Sequence, residues 1–211
     1  MRTRRKLAMS ALGIALATIL IGCSQPVGGT PEATPSTGAS SAGPARPEIP
    51  RVSRPLNADP YLAKPCELVP TEIVTELGFS GPGSTNPAYE LAPPGMTDGP
   101  SCSWGASPGQ TMGLVIETKL RELSLGGLSG IYSLHDQGRF TFIEPTEVSG
   151  YPAVHADFTD RRKFGSCRIY FGAADDLAIL ASIGAYTNKT QSCEAATKIA
   201  DGIIKKLQGG A

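Results

Sequence analysis

Five cysteines, two histidines and a short cationic run are the groups in this 211-residue chain whose types and spacing could do chemistry. Cys23 closes Leu20-Ile21-Gly22-Cys23, a small residue and then a cysteine at the end of an apolar stretch. That order predicts a thioether: a diacylglyceryl group goes onto the Cys23 sulfur, the chain is cut before it, and the mature protein sits lipid-anchored on the outer face of a membrane. Cys66, Cys102, Cys167 and Cys193 are an even set of well-separated cysteines, which in an exported chain predicts two disulfides. None forms a CxxC pair, so neither a zinc site nor a thioredoxin-type redox motif is read from them. Three connectivities are open. The shortest closed loops favour Cys66 with Cys102 and Cys167 with Cys193, each bridge stabilising by about 3–4 kcal/mol.

His135 and His155 are the histidines. His155 and Asp157 would project from one face of a strand, as a hydrolytic pair needs and as a solvent-facing polar row also does. The polar row is the plainer reading, because no Gly-x-Ser-x-Gly elbow supplies a nucleophile. Gly126-Gly127-Leu128-Ser129-Gly130 lacks the lysine of a phosphate loop and reads as a bend or a helix contact. Asp175-Asp176 has too few carboxylates for calcium and reads as a turn. Trp104 follows Cys102 by two positions and is expected in the core over a disulfide, not as a ligand platform. Arg161, Arg162 and Lys163, with Arg168 nearby, are the densest basic run. They are the candidate contact for an anionic wall polymer, lipid head group or acidic protein surface, set against a solvated hairpin loop. No catalytic residue, metal ligand or cofactor is expected.

The segments that position these groups differ in composition. Arg2, Arg4, Arg5 and Lys6 precede an uncharged stretch, Leu7 to Ile21, which falls short of the ~20 residues of a membrane span. Residues 1–22 therefore read as a signal peptide, with Sec and twin-arginine export both open. Removing them takes away four basic residues and no acidic ones, leaving fifteen against nineteen, a net charge of −4. A mildly acidic chain has no general attraction for nucleic acid or anionic lipid. Residues 23–60 are rich in Pro, Gly, Ser, Thr and Ala without an aromatic, and read as a disordered tether with a reach of about 35 Å. Residues 61–208 read as one globular domain.

Within that domain, 70–77 has the spacing of a short helix and 86–101 that of a loop. Residues 113–118 alternate as a strand, and 120–137 is helical, bent or split at its glycines. Strands follow at 140–144, 147–148 and, after a Ser149-Gly150 turn, 151–158, then at 167–171 and 177–183. Cys193, Ala196, Ala200, Ile203 and Leu207 repeat as one face of a final helix. A bridge from Cys193 to Cys167 would pin that helix to the sheet. The fold class is α+β, an antiparallel β-sheet flanked by helices.

Pro65-Cys66-Glu67-Leu68 before the short helix, Cys102-Ser103-Trp104, Gly150-Tyr151-Pro152-Ala153-Val154 and Cys193 opening an Ala-rich helix resemble an actinobacterial lipoprotein family, that of domain of unknown function 3558. Val69 and Gln191-Ser192 depart from its usual pattern at two helix starts. The resemblance implies an extracytoplasmic lipoprotein with a PsbP-like α/β/α sandwich, and it brings no catalytic residues. The function expected is a non-enzymatic binding or accessory module of the cell envelope. Its partner would be an envelope or secretion-apparatus protein or a wall component. The alternatives are a cryptic envelope hydrolase and a carrier of a small apolar ligand.

Overall fold

A computed structural model describes residues 48–86, 99–106, 109–184, 186 and 188–209. Residues 1–47, which hold Cys23, the segment read as a signal peptide and most of the segment read as a tether, lie outside the described residues. Among the described residues no helix is long and apolar enough to cross a membrane.

Seven strands form one sheet: β1 Ser84–Asn86, β2 Ser101–Ala106, β3 Gln110–Ile116, β4 Phe142–Val148, β5 Tyr151–Asp157, β6 Ser166–Ala174 and β7 Leu177–Gly184. Their spatial order is β1-β2-β3-β7-β6-β5-β4, with every neighbouring pair antiparallel. Pro145 sits in β4, an edge strand, where a missing N–H breaks no ladder on the open side. The helices are α1 Thr71–Glu76, α2 Thr118–Glu122, α3 Gly127–Asp136 and α4 Lys189–Leu207.

Helices cover both faces because β3, β7 and β6 are apolar on both. On one face α4 lays Ala196, Ile199, Ala200 and Ile203, a three-and-four repeat, against Ile169, Phe171, Ile179 and Ile183. Its start is capped by Asn188, whose side chain accepts the Gln191 N–H at 3.0 Å. On the other face α2 and α3 bury Leu120, Leu128 and Ile131 with Val115, Tyr170 and Leu180. The helical stretch expected over 120–137 is thus two helices. Gly127, at φ 29°, lies so close to the β6–β7 turn that a Cβ there would stand 2.7 Å from the Asp175 carbonyl oxygen.

Two readings change. β1 and β2 flank the segment read as a loop, and Ser101 at its end is already in β2. Ser, Gly and a lone Trp hide the alternation of β2, whose apolar side is only Cys102 and Trp104. Residues 87–98 of that loop lie outside the described residues. The second change concerns the tether, whose last part, 48–60, belongs to the domain. The Val52 N–H donates to Asp175 Oδ1 at 2.9 Å and the Leu56 N–H to the Ala173 carbonyl at 2.7 Å. Val52, Leu56 and Ala58 are buried, Val52 over Gly172 beside Leu128 of α3. Three apolar residues scattered among prolines and charges do not lift a composition average, yet they suffice to dock a strap. Leu56→Ala should therefore cost about 2 kcal/mol in urea unfolding, the low end for a core leucine because the strap can settle inward. A change under a few tenths would mean the strap is not held.

Candidate functional site

The strand register sets out the site as rungs across the sheet. On the α2/α3 face, Ser101, Val115, Leu180, Tyr170 and Val154 are direct neighbours on β2, β3, β7, β6 and β5. Apart from Ser101, this rung lies in the apolar cluster under α2 and α3. Two residues further along each strand, on the same face, comes Ser103, Gly113, Ser182 and Arg168, and after it Gly105, Thr111, Gly184 and Ser166. Within one rung the face turns from isobutyl and aromatic groups to hydroxyls, glycines and a guanidinium.

That polar part of the sheet forms the floor of a groove of about 660 Å³, with Ser103, Thr111, Ser166 and Ser182 among its lining and Arg161 and Arg168 at one side. The volume suits a ligand of a few rings, within the ~300–1,000 Å³ of ordinary binding clefts. The Ser182 hydroxyl donates to the Gly113 carbonyl at 3.3 Å, and a Cβ on Gly113 would stand 3.5 Å from that same hydroxyl, so the missing side chain deepens the floor. Arg168 stands with Nη1 3.6 Å from Asp157 Oδ1 and its guanidinium 5.6 Å from the Phe158 ring centre. Phe158, which lines the groove, in turn stacks on Phe140 of the apolar cluster at 4.8 Å. Arg161 is exposed.

The cationic run is therefore not one patch. Arg162 turns inward, with only 7% of its side chain exposed. Its Nε and Nη2 donate to the two Asp160 oxygens at 2.8 and 2.7 Å, its Nη1 donates to Glu144 Oε2 at 2.6 Å, and its guanidinium lies 3.8 Å from the centre of the Phe142 ring. A cation so occupied is structural, and its place in the anionic contact is withdrawn. The short 3-10 turn Arg162–Phe164 explains the reversal, because it points successive side chains in different directions. Lys163 lies 4.8 Å from the ring of Phe164, itself 72% exposed. Arg161 and Arg168 remain together in the groove.

The Arg162 hydrogen bonds push the Asp160 carboxyl down from 3.8 to about 2 and hold Glu144 below the usual carboxylate range. Because folding favours ionised Asp160, its contribution is complete above pH 3.8 and is lost as the pH falls towards 2. In denaturant titrations the wild type should lose stability more steeply than Asp160→Asn over that window. Parallel slopes would show that the clamp does not couple to folding.

The opposite face carries the histidine. Glu144, His155, Ile169, Ala181, Leu114 and Cys102 form one rung there. His155 Nδ1 lies 3.2 Å from the Arg168 carbonyl oxygen and 3.5 Å from Cys167 Sγ, at a hollow it shares with Lys189, Thr190 and Cys193 of α4. Burial holds its pKa below the ordinary histidine value. Asp157 instead accepts the Phe158 N–H at 2.8 Å and pairs with Arg168. The solvent-facing row is corrected: both side chains are largely covered, and they serve different neighbours.

The disulfides join Cys66 to Cys102 and Cys167 to Cys193, the pairing favoured by loop length. Trp104 is buried as expected, its Nε1 donating to the Gly81 carbonyl at 3.1 Å. Gly83, at φ 76°, lies against both this indole and Cys102 Sγ, where a Cβ would meet them at 2.7 and 2.6 Å. Asp175-Asp176 is the β6–β7 turn. The groove hydroxyls went unread in the sequence. Their signal was there in β7, where Leu180, Ser182 and Gly184 turn polar while Ile179, Ala181 and Ile183 stay apolar.

A seven-stranded antiparallel sheet between helical layers, with two disulfides and a polar groove on one face, defines an α+β domain. The family model described as "Protein of unknown function (DUF3558)" matches residues 18–206, and the chain belongs to that family. No curated protein and no solved structure matches it.

Proposed function

We propose that this chain is a non-enzymatic binding module, lipid-anchored at Cys23 on the outer face of the cell membrane, whose groove takes an anionic, hydroxyl-rich ligand such as an acidic wall glycan. The observation that carries the reading is the switch from apolar to hydroxyl and guanidinium rungs on one sheet face. Serine and threonine hydroxyls exchange hydrogen bonds with a sugar, and exposed strand faces with small side chains admit its flat edge. The mature chain's net charge of −4 gives no long-range pull on an anion, so attraction is local to Arg161 and Arg168. Guanidinium groups pair carboxylates and phosphates through two parallel N–H bonds, which selects charge and orientation together. The concave shape favours a wall component over a flat protein surface. The lipobox and the resemblance to actinobacterial lipoproteins, with their PsbP-like sandwich, support the anchored placement.

Calorimetric titration with acidic and neutral wall oligosaccharides tests the groove. Acidic ones should bind, with affinity falling as salt rises; equal binding of neutral ones, or of neither, would sink the reading. The anchor has its own test. Cys23→Ser should leave the protein unacylated and move it from the membrane fraction to the medium or to an uncut precursor, whereas unchanged fatty-acid labelling would refute it.

A further inference from the structure

We propose that reduction of the Cys167–Cys193 disulfide creates a metal site, with His155, Cys167 and Cys193 holding Zn²⁺ at the start of α4. Among the described residues this is the group of histidine, cysteine and carboxylate side chains placed to hold an ion, one nitrogen and two sulfurs all lying within 4.8 Å of one another. Zinc takes sulfur at about 2.3 Å and nitrogen at about 2.0 Å, which makes the nitrogen–sulfur edge of a tetrahedron about 3.5 Å and its sulfur–sulfur edge about 3.8 Å. The His155 Nδ1 to Cys167 Sγ separation is 3.5 Å. One edge of the polyhedron is therefore already built by the β5–β6 register, which places His155 on the strand beside Cys167. Cys193 reaches the second sulfur position by a side-chain rotation once the bond to Cys167 opens.

The surroundings fit a metal better than they fit a plain staple. The bridge between Cys66 and Cys102 has a threonine hydroxyl beside it, Thr85 Oγ1 at 3.2 Å from Cys66 Sγ, and no histidine. The α4 bridge opens instead on a hollow of about 430 Å³ that His155, Lys189, Thr190, Glu194 and Thr197 line. That hollow admits a reductant to Cys193 and leaves the fourth zinc position to water or an incoming ligand. Coordination through Nδ1 exchanges the contact with the Arg168 carbonyl for the ion.

The chemistry balances with a dithiol as reductant. Its thiolate attacks one sulfur of the bridge, its second sulfur displaces the mixed disulfide, and it leaves oxidised as its own disulfide. Cys167 and Cys193 remain as thiols, having gained two electrons and two protons. Zn²⁺ binding then releases both protons to solvent as the thiolates coordinate. The site faces away from the glycan groove and does not depend on that reading.

The test uses the full chain carrying Cys23→Ala, reduced with excess dithiol, freed of it, and alkylated with iodoacetamide with and without Zn²⁺. Peptide mass mapping then gives the rate at each cysteine. Zn²⁺ should protect Cys167 and Cys193 while Cys66 and Cys102 react as before. His155→Ala should weaken the zinc affinity behind that protection by at least on the order of 100-fold, because losing a direct ligand costs more than the ~10–100-fold of losing a group that only supports one. His155→Asn, which keeps the size of the side chain, should do the same. Circular dichroism of each reduced sample reports folding separately. Zinc that slows all four cysteines alike, protects none, or protects the α4 pair equally in the His155 variants would overturn the proposal, because each outcome leaves the imidazole without a role.

Discussion

Replacing Cys167 and Cys193 together by alanine should lower the unfolding free energy by about 3.5 kcal/mol, several hundredfold in the folding equilibrium. The bridge spans 26 residues, a long loop whose closure the unfolded chain would otherwise regain as entropy. It also ties β6 to the helix that supplies Ala196, Ile199, Ala200 and Ile203 to the core, so loosening it exposes one side of the sheet. Removing the Cys66–Cys102 bridge, which spans 36 residues, should cost about the same, near 3.8 kcal/mol. Urea unfolding measures both, and its slope must be compared as well, because cutting a cross-link expands the unfolded state. A loss below about 1 kcal/mol for the α4 bridge would mean that helix packing alone holds α4 in place.

Filling the groove is expected to matter as much for binding as the bridge does for folding. Ser182→Trp places an indole in the middle of the Ser103, Gly113, Ser182, Arg168 rung, where the ligand would lie. Affinity for an acidic oligosaccharide should fall by about 100-fold, roughly 2.7 kcal/mol, the size of a lost central contact. Stability should barely change, because Ser182 faces the groove and gives up only one 3.3 Å hydrogen bond to a neighbouring strand. A variant that binds like the wild type would place the ligand elsewhere. One that binds weakly only because its unfolding midpoint has dropped would be recognised by the same urea curve.

What the sequence disclosed depended on how local each signal was. The three-and-four repeat of α4 and the alternation of β5, β6 and β7 lie within single segments, so they were legible, and loop length favoured, among three open connectivities, the cysteine pairing that is found. The strap at 48–60 was not, since Val52, Leu56 and Ala58 owe their burial to a surface supplied more than a hundred residues later. Arg162 was misjudged for a related reason. Neighbours in a cationic run share composition, but a 3-10 turn sends one of them under Phe142 and another into the groove. The groove itself combines residues of β2, β3, β6 and β7 through register, which no single segment encodes. His155 was noticed, but its partner lies across the strand in β6 and across the sheet in α4, not at Asp157.

The most direct measurement is the map of backbone amide shifts as an acidic wall oligosaccharide is titrated into the labelled protein. Perturbation centred on Ser103, Gly113, Ser182 and Arg168, and weakened by salt, is the result this account predicts. Shifts confined to the α4 face around His155, or to Lys163 and Phe164, would contradict it.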